Sequence, residues 1–514
     1  MMEIGKLVER DNEKLTLENI EDYRRIWSKE LHKMPKNSEI WPHLIDPELI
    51  EAMKTRGVRT QSGVAPFAVM MRYFFCPGKC TYCPLEEGMP KSYLSDEPAA
   101  QRAKLLDFDP YKQVEGRIKQ MVETGHITDK IDLIVIGGTF GSYPEKYKRE
   151  FFKSMFDAVN GIVSETFEEA QKYNETAEKR IVGISIETRP DWVTEKEIKL
   201  WRELGVTKVQ LGVQAFDEEI LKKIKRGHDL NKVAEATRMC RNAGLKICYH
   251  YMPNLPGTTP EKDIEMAKIM FTDPRFGPDY LKVYPAMTIK GTEMYETWKR
   301  GEYVPYGEEK LIRVLKEIKA QTPVWCRIDR LIRDISKKWV SAGTARTNLR
   351  QVLQEELKKE GKKCKCIRCR EVRNGIYDEK VKLLINERES LGGKELFLSY
   401  ENTDKLFAML RLRLPDKEEK MLFEELEGAA IVREVHAYGQ VAELDTSDGI
   451  KTQHRGLGKR LMAKAEEIAC ERGYKKMAVI SAIGTREYYR KLGYELEGSY
   501  MVKELSGFLN QATL

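Results

Sequence analysis

Between Gly63 and Pro323 the chain repeats one pattern, a short and nearly unbroken apolar run followed by an amphipathic stretch. The runs are VAPFAVMMRYFF, IDLIVIGG, RIVGISIE, KVQLGVQ, LKICYHYM and YLKVYPA. Strands with so little polar alternation need cover on both faces, and intervening helices supply it when the sheet is parallel. Six such strands in about 230 residues predict a complete or partial (β/α) barrel, with its chemistry at the C-terminal ends of the strands. The flanks read differently. In LTLENIEDYRRIWSKELHKM, Leu17, Ile20, Tyr23, Ile26 and Trp27 recur at helical steps, so residues 1–60 read as an amphipathic helical segment. After about Tyr377, ELFLSY, KLFAMLRLRL, GAAIVREVHAYG and KKMAVISAIG follow in hairpin-like succession, with a glycine loop and helix before the last. That predicts an α+β domain. The expectation is a multidomain α/β chain: helical segment 1–60, barrel 61–326, basic linker 327–376 and α+β domain 377–514.

Charge is concentrated in the linker. Arg327 to Arg373 holds 15 basic and 6 acidic residues, a surplus of nine, so the remainder of this +7 chain sums to −2. A basic segment on a near-neutral body suits an anionic partner such as nucleic acid, although a solvated helical surface would look the same. No apolar run is long enough to span a bilayer and the first residues lack a signal-peptide core, so a cytoplasmic protein with no membrane partner is expected. Reduced thiols are the rule there, which turns the ten cysteines into a question of metals or catalysis.

FFCPGKCTYCP places Cys76, Cys80 and Cys83 in a CX3CX2C array behind a strand. Three thiolates satisfy three irons of a cubane cluster and leave the fourth open, whereas structural zinc wants four ligands and none other lies nearby in sequence. The array resembles that of the radical S-adenosylmethionine (SAM) superfamily. That resemblance implies a [4Fe-4S] cluster whose open iron chelates SAM, with Tyr82 beside the adenine. It further implies that the turn Gly137, Gly138 and Thr139 meets the methionyl amine, and that Glu187 meets the ribose. Gln214 and His250, near strand ends, are further candidates for which core roles are equally consistent.

QHRGLGKRLMAKAEEIA sets Gln453, Arg455, Gly456 and Gly458 ahead of an amphipathic helix, and backbone N–H groups at such an end suit a pyrophosphate. The loop resembles the GNAT acetyltransferase signature for coenzyme A, and REYYRKLGYE offers Tyr489 where that family carries a tyrosine near the thioester. CKCIRC adds Cys364, Cys366 and Cys369, three soft ligands that suggest structural zinc with Cys326 as a possible fourth.

Together, RTQSGVA, GGTF, IETRPD, LGVQ, KRGH, YHYMPNLPGTT, LKVYPAM, QHRGLG and GTREYYRKLGYE resemble the Elongator catalytic-subunit family over nearly the whole chain. The resemblance implies a tRNA-binding acyltransferase that uses SAM radical chemistry and acetyl-CoA to form 5-carboxymethyluridine at wobble position 34. It assigns Lys130, the strand Glu434, Val435, His436 and Ala437, loop residues Leu457, Gly458 and Lys459, and Tyr489 to acetyl-CoA. Basic residues of the N-terminal helices and of the linker would hold the anticodon loop and stem, and a homodimer or accessory subunits are compatible with it. The competing expectation is a protein lysine acetyltransferase with a merely structural cluster, in which Glu434 would serve as the base.

Overall fold

A computed structural model describes residues 4–53, 63–344, 346, 348–372, 380–439 and 456–505. Nine strands precede the linker cysteines: β1 (Ala65–Met70), β2 (Lys130–Ile136), β3 (Arg180–Thr188), β4 (Lys208–Gln214), β5 (Lys246–Tyr251), β6 (Tyr280–Val283), β7 (Thr288–Ile289), β8 (Arg327–Arg330) and β9 (Val340–Ala342). All but β7 and β9 form one parallel sheet in the order β1-β2-β3-β4-β5-β6-β8. The order follows the chain, as right-handed crossovers through covering helices dictate. β1 and β8 do not pair with each other, so the barrel is partial.

One expected boundary moves. Arg327–Arg330, placed by sequence in the linker, is the last barrel strand, and the helix Leu349–Lys359 packs on the helix Glu308–Gln321. Four residues rich in arginine carry no strand signature of their own; pairing with β6 imposes it. The linker's charge is also largely met within the fold. Arg333 binds Glu97, Arg346 binds Glu308, Lys338 binds Asp96, and Lys363 binds Asp404.

The barrel interior departs from the usual apolar filling. Successive inward positions carry Lys208, Gln210 and Gln214 on β4, Lys246 and His250 on β5, and Tyr280 and Lys282 on β6. Burying so many polar groups is costly unless water or a ligand meets them.

The second sheet runs β10 (Lys382–Ser390), β11 (Gly393–Glu401), β12 (Leu406–Pro415), β13 (Ala429–Ala437), β14 (Lys476–Val479), β16 (Tyr500–Glu504), β15 (Glu495–Glu497). The first four are antiparallel neighbours. β13 and β14 are parallel rather than the expected hairpin, because the helix Leu457–Glu471 carries the chain across the sheet between them.

This sheet closes the N-terminal end of the barrel. Gly205 and Gly244, both in the left-handed region, leave room there; a Cβ at Gly244 would come within 3.1 Å of Ile480 and 3.2 Å of Ile431. The joint is charged and dry. Arg433 of β13 reaches Asp279 at 2.5 Å and Glu395 at 2.6 Å, with all three side chains essentially inaccessible. Arg411 adds contacts to Asp279 and Glu434.

Residues 4–53 form a small helical body with its own core around Leu7, Val8, Trp27, Ile40 and Leu49. Trp41 ties it to the barrel through the Glu123 carbonyl at 2.8 Å. Over residues 1–60 as a whole 11 basic residues face 12 acidic ones, so the segment is near-neutral.

Candidate active site

A cavity of about 950 Å³ begins at Cys76, Cys80 and Cys83, runs down the polar barrel interior, and ends against Glu434, His436 and Tyr438 of the second sheet. Tyr82, Gly138, Thr139, Glu187, Gln214 and His250 line it as well. Residues read from two separate motifs thus share one cavity.

At its upper end the cysteine loop follows β1. Cys76 Sγ lies 3.5 Å from Thr139 Oγ1, and Arg226 donates to Cys80 Sγ at 3.2 Å. A hydrogen bond from Cys83, aided by Arg226, brings the Cys80 thiol down to about 4, so a thiolate is available for iron. The three sulfurs do not gather as closely as the 364–369 set described below.

Around them are polar atoms that no described residue satisfies: Thr188 Oγ1, Arg189 Nη1 and Gln214 Oε1, all buried. Gln214 also holds φ at 77°, where a β-bulge interrupts the β4 to β5 register. Strain and unmet hydrogen bonds at a cavity wall are the signature of a site built for a polar ligand. Gly137 and Gly138 stand at φ 148° and 94°, and a Cβ on Gly137 would press on Met71 and Tyr143. Glu187 accepts from Tyr93 and lies 3.7 Å from Lys282 Nζ. His250 bonds Gln210 at 3.2 Å; burial, followed by repulsion from Lys282 and Arg333, keeps the ring neutral. These donors and acceptors suit SAM.

At the lower end β14 pairs with β13 only from Ala429 to Val432 and ends at Val479, so the pairing stops short of Glu434–Ala437, at a wedge beside that stretch. The helix Leu457–Glu471 starts near this wedge, with Gly456 left-handed at its N-cap. A Cβ on Gly458 would meet Tyr488 Oη at 3.0 Å and Val435 at 3.8 Å, so only glycine keeps that approach open. Leu457 itself is core, so its side chain is withheld from any ligand, and Lys459 is exposed. Tyr489 is buried against Tyr488 and Tyr494; burial, with Tyr488 and Glu434 nearby, raises its hydroxyl and keeps it a donor. A wedge, a glycine-bearing helix start and a protonated tyrosine suit acetyl-CoA. Gln453 and Arg455 lie outside the described residues. Lys130 begins β2, 4.0 Å from Asp129, and does not line the cavity.

Glu434 does not fit the part of a lysine acetyltransferase base. Its oxygens are taken by Arg411, at 2.8 Å, and Tyr280. Burial alone would raise its carboxyl, but Arg411 and Lys246 outweigh that and hold it at about 2. A carboxylate so stabilised is a weak proton acceptor near neutrality.

Outside the cavity, Cys364, Cys366 and Cys369 bring their sulfurs within 4.8 Å of one another, close enough for a single ion. Cys326, the fourth ligand considered from sequence, is not in that set; its carbonyl instead accepts from Ile367. The neighbour supplied by the fold is Lys319, with Nζ 3.6 Å from Cys369 Sγ. Cys240 and Cys248 are buried core residues.

Sequence reasoning missed Arg226, Lys208, Lys246 and Lys282. The three lysines were signalled by period-two polarity inside strands otherwise read as uniformly apolar, whereas Arg226, in the connection after the helix Glu218–Lys223, carried no such signal.

Three protein families match successive stretches: the radical SAM superfamily over residues 70–270, the Radical_SAM C-terminal domain over 278–359, and the acetyltransferase (GNAT) family over 370–494. The chain is 45% identical to the tRNA uridine(34) acetyltransferase of Methanocaldococcus jannaschii, over 92% of this chain and 90% of that one. It is 40% identical to Elongator complex protein 3 of Homo sapiens, over 89% and 87%. The solved structure of archaeal Methanocaldococcus infernus Elp3, lacking its N-terminal residues 1–46, matches with a TM-score of 0.76 at 42% identity, covering 86% of this chain and 99% of that one.

Proposed function

The chain belongs to the family of the tRNA uridine(34) acetyltransferases and Elongator complex protein 3, and from that premise we propose that it builds 5-carboxymethyluridine at the wobble position of tRNA from acetyl-CoA. The observation that carries this reading is the single cavity reaching from the cysteine triad to β13 of the acetyltransferase sheet. An enzyme that merely transferred acetyl groups would need no connection to an iron site. One that joins an acetyl carbon to a uracil ring needs both within reach.

Cys76, Cys80 and Cys83 would hold the [4Fe-4S] cluster, and Thr188, Arg189 and Gln214, with the Gly137–Gly138 turn and Glu187, would orient SAM. Bound there, the pair supplies the one-electron chemistry that a carbon–carbon bond at C5 of uracil demands. The wedge beside Glu434–Ala437 and the N–H groups from Leu457 onward would seat acetyl-CoA, with Tyr489 donating toward the thioester. The second sheet excludes bulk water from below, which keeps the thioester from idle hydrolysis. The anticodon loop is single-stranded, so its base can enter the upper mouth without breaking a duplex. Cys364, Cys366 and Cys369 would hold a structural zinc, with the Lys319 ammonium offsetting thiolate charge.

Anaerobic incubation with tRNA, SAM, reductant and acetyl-CoA labelled in the methyl carbon, followed by nucleoside mass spectrometry, tests the reading. The label should appear in 5-carboxymethyluridine. Label appearing only on protein lysines would refute it.

A further inference from the structure

The cavity floor carries a cation with nothing to hold. Lys246, the first residue of β5, lines the cavity where the barrel meets β13. Its backbone N–H is bonded to the Thr207 carbonyl, but its Nζ makes no ion pair or hydrogen bond with any described residue, unlike the two other lysines of the barrel interior. Lys208 is paired with Asp132 at 3.7 Å and lies over the Tyr280 ring, while Lys282 donates to Gln210. The groups around Lys246 are Glu434 and Arg433 of β13, Lys208 of β4 and Asp132 of β2. Each Glu434 oxygen already accepts from one partner, Arg411 or Tyr280, and Asp132 is engaged by Lys208. A cavity-lining amine without a side-chain partner is left to water unless a ligand meets it, and a ligand oxygen arriving there finds a donor already in place.

We propose that Lys246 binds the acetyl group itself, its Nζ donating to the carbonyl oxygen of the thioester on the cavity floor. The inference rests on the acetyl-CoA site placed above at β13. With the oxygen held downward by Lys246, the methyl carbon is left to point up the barrel toward the cysteine end. Once the thioester is hydrolysed the same Nζ faces a carboxylate, a stronger acceptor than the carbonyl. Burial lowers the Lys246 ammonium and Glu434 opposes that shift, so the group stays a donor in either protonation state.

The test compares two ligands on the full chain with tRNA present, by calorimetry. One is CoA; the other is the ketone analogue of acetyl-CoA in which methylene replaces sulfur, so that the carbonyl remains and cannot be hydrolysed. The unmodified protein should prefer the analogue. Lys246→Met should lose that preference, about tenfold or more in affinity, with CoA binding unchanged, and Lys246→Arg should retain part of it. Preference surviving in Lys246→Met would overturn the proposal, and so would an equal loss of both ligands, which would make Lys246 a support of the floor. If the unmodified protein bound neither ligand, the acetyl-CoA site would itself be wrong.

Discussion

Arg433→Met should separate the two halves energetically while leaving each sheet's apolar core intact. In the folded chain the guanidinium makes contacts to Asp279 at 2.5 and 3.2 Å, to Glu395 at 2.6 Å and to the Leu245 carbonyl at 2.7 Å, all without access to water. Removing one partner from such a buried set costs about 3–5 kcal/mol, because the remaining charges stay desolvated. Two features pull the figure toward the lower limit. Asp279 keeps Arg411 at 3.4 Å and the Ile247 N–H at 2.9 Å. Arg413, which burial together with Arg241 and Arg433 drives down to about 10, would be relieved of one repulsive neighbour. About 3 kcal/mol is therefore expected. Urea unfolding followed by two probes is the assay, since a chain of several domains need not unfold in one step. Adding Asp279→Asn should cost less than its effect alone, with a coupling of at least about 1 kcal/mol. A loss under about 1 kcal/mol, or strict additivity, would refute the view that this cluster joins the halves.

Other outcomes are equally definite. Cys80→Ala should abolish reductive SAM cleavage but leave binding of the acetyl-CoA ketone analogue unchanged; joint loss would argue against two sites, as read by product chromatography and calorimetry. Gly458→Val, which forces atoms past the 3.0 Å already reached by a Cβ against Tyr488, should weaken CoA at least tenfold with little change in SAM cleavage. Glu434 is depressed from its ordinary 4.5 to about 2, so its stabilisation is complete above pH 4.5 and lost as pH falls toward 2. Glu434→Gln should accordingly flatten the acid limb of the stability profile between those values, and an unchanged limb in thermal melts would contradict the assignment.

Much of the architecture was legible because its signals are local. Apolar runs separated by amphipathic stretches announced the parallel sheet, and the CX3CX2C array and the glycine loop announced their chemistries. What escaped depends on contacts between distant residues. Arg327–Arg330 becomes a strand only beside β6. Asp279, Glu395 and Arg433 look like surface charges until three elements bring them together. Lys319 stands 50 residues from the thiol it faces. Counting charge along the linker suggested a naked cationic face, yet its partners Glu97, Asp96, Glu308 and Asp404 lie far away in sequence, where no window would reveal them. The helical segment is a different case, since its role was carried over from resemblance and its own charges nearly balance.

Enzymes that bring two reactants together commonly do so by swinging one lobe on a hinge. The waterless charges between barrel and second sheet make that motion expensive here, because parting them would strand Asp279, Glu395 and Arg433 before water could enter. If the chain works as proposed above, turnover proceeds with the lobes locked, and CoA and RNA exchange through separate openings of the cavity rather than by the lobes parting.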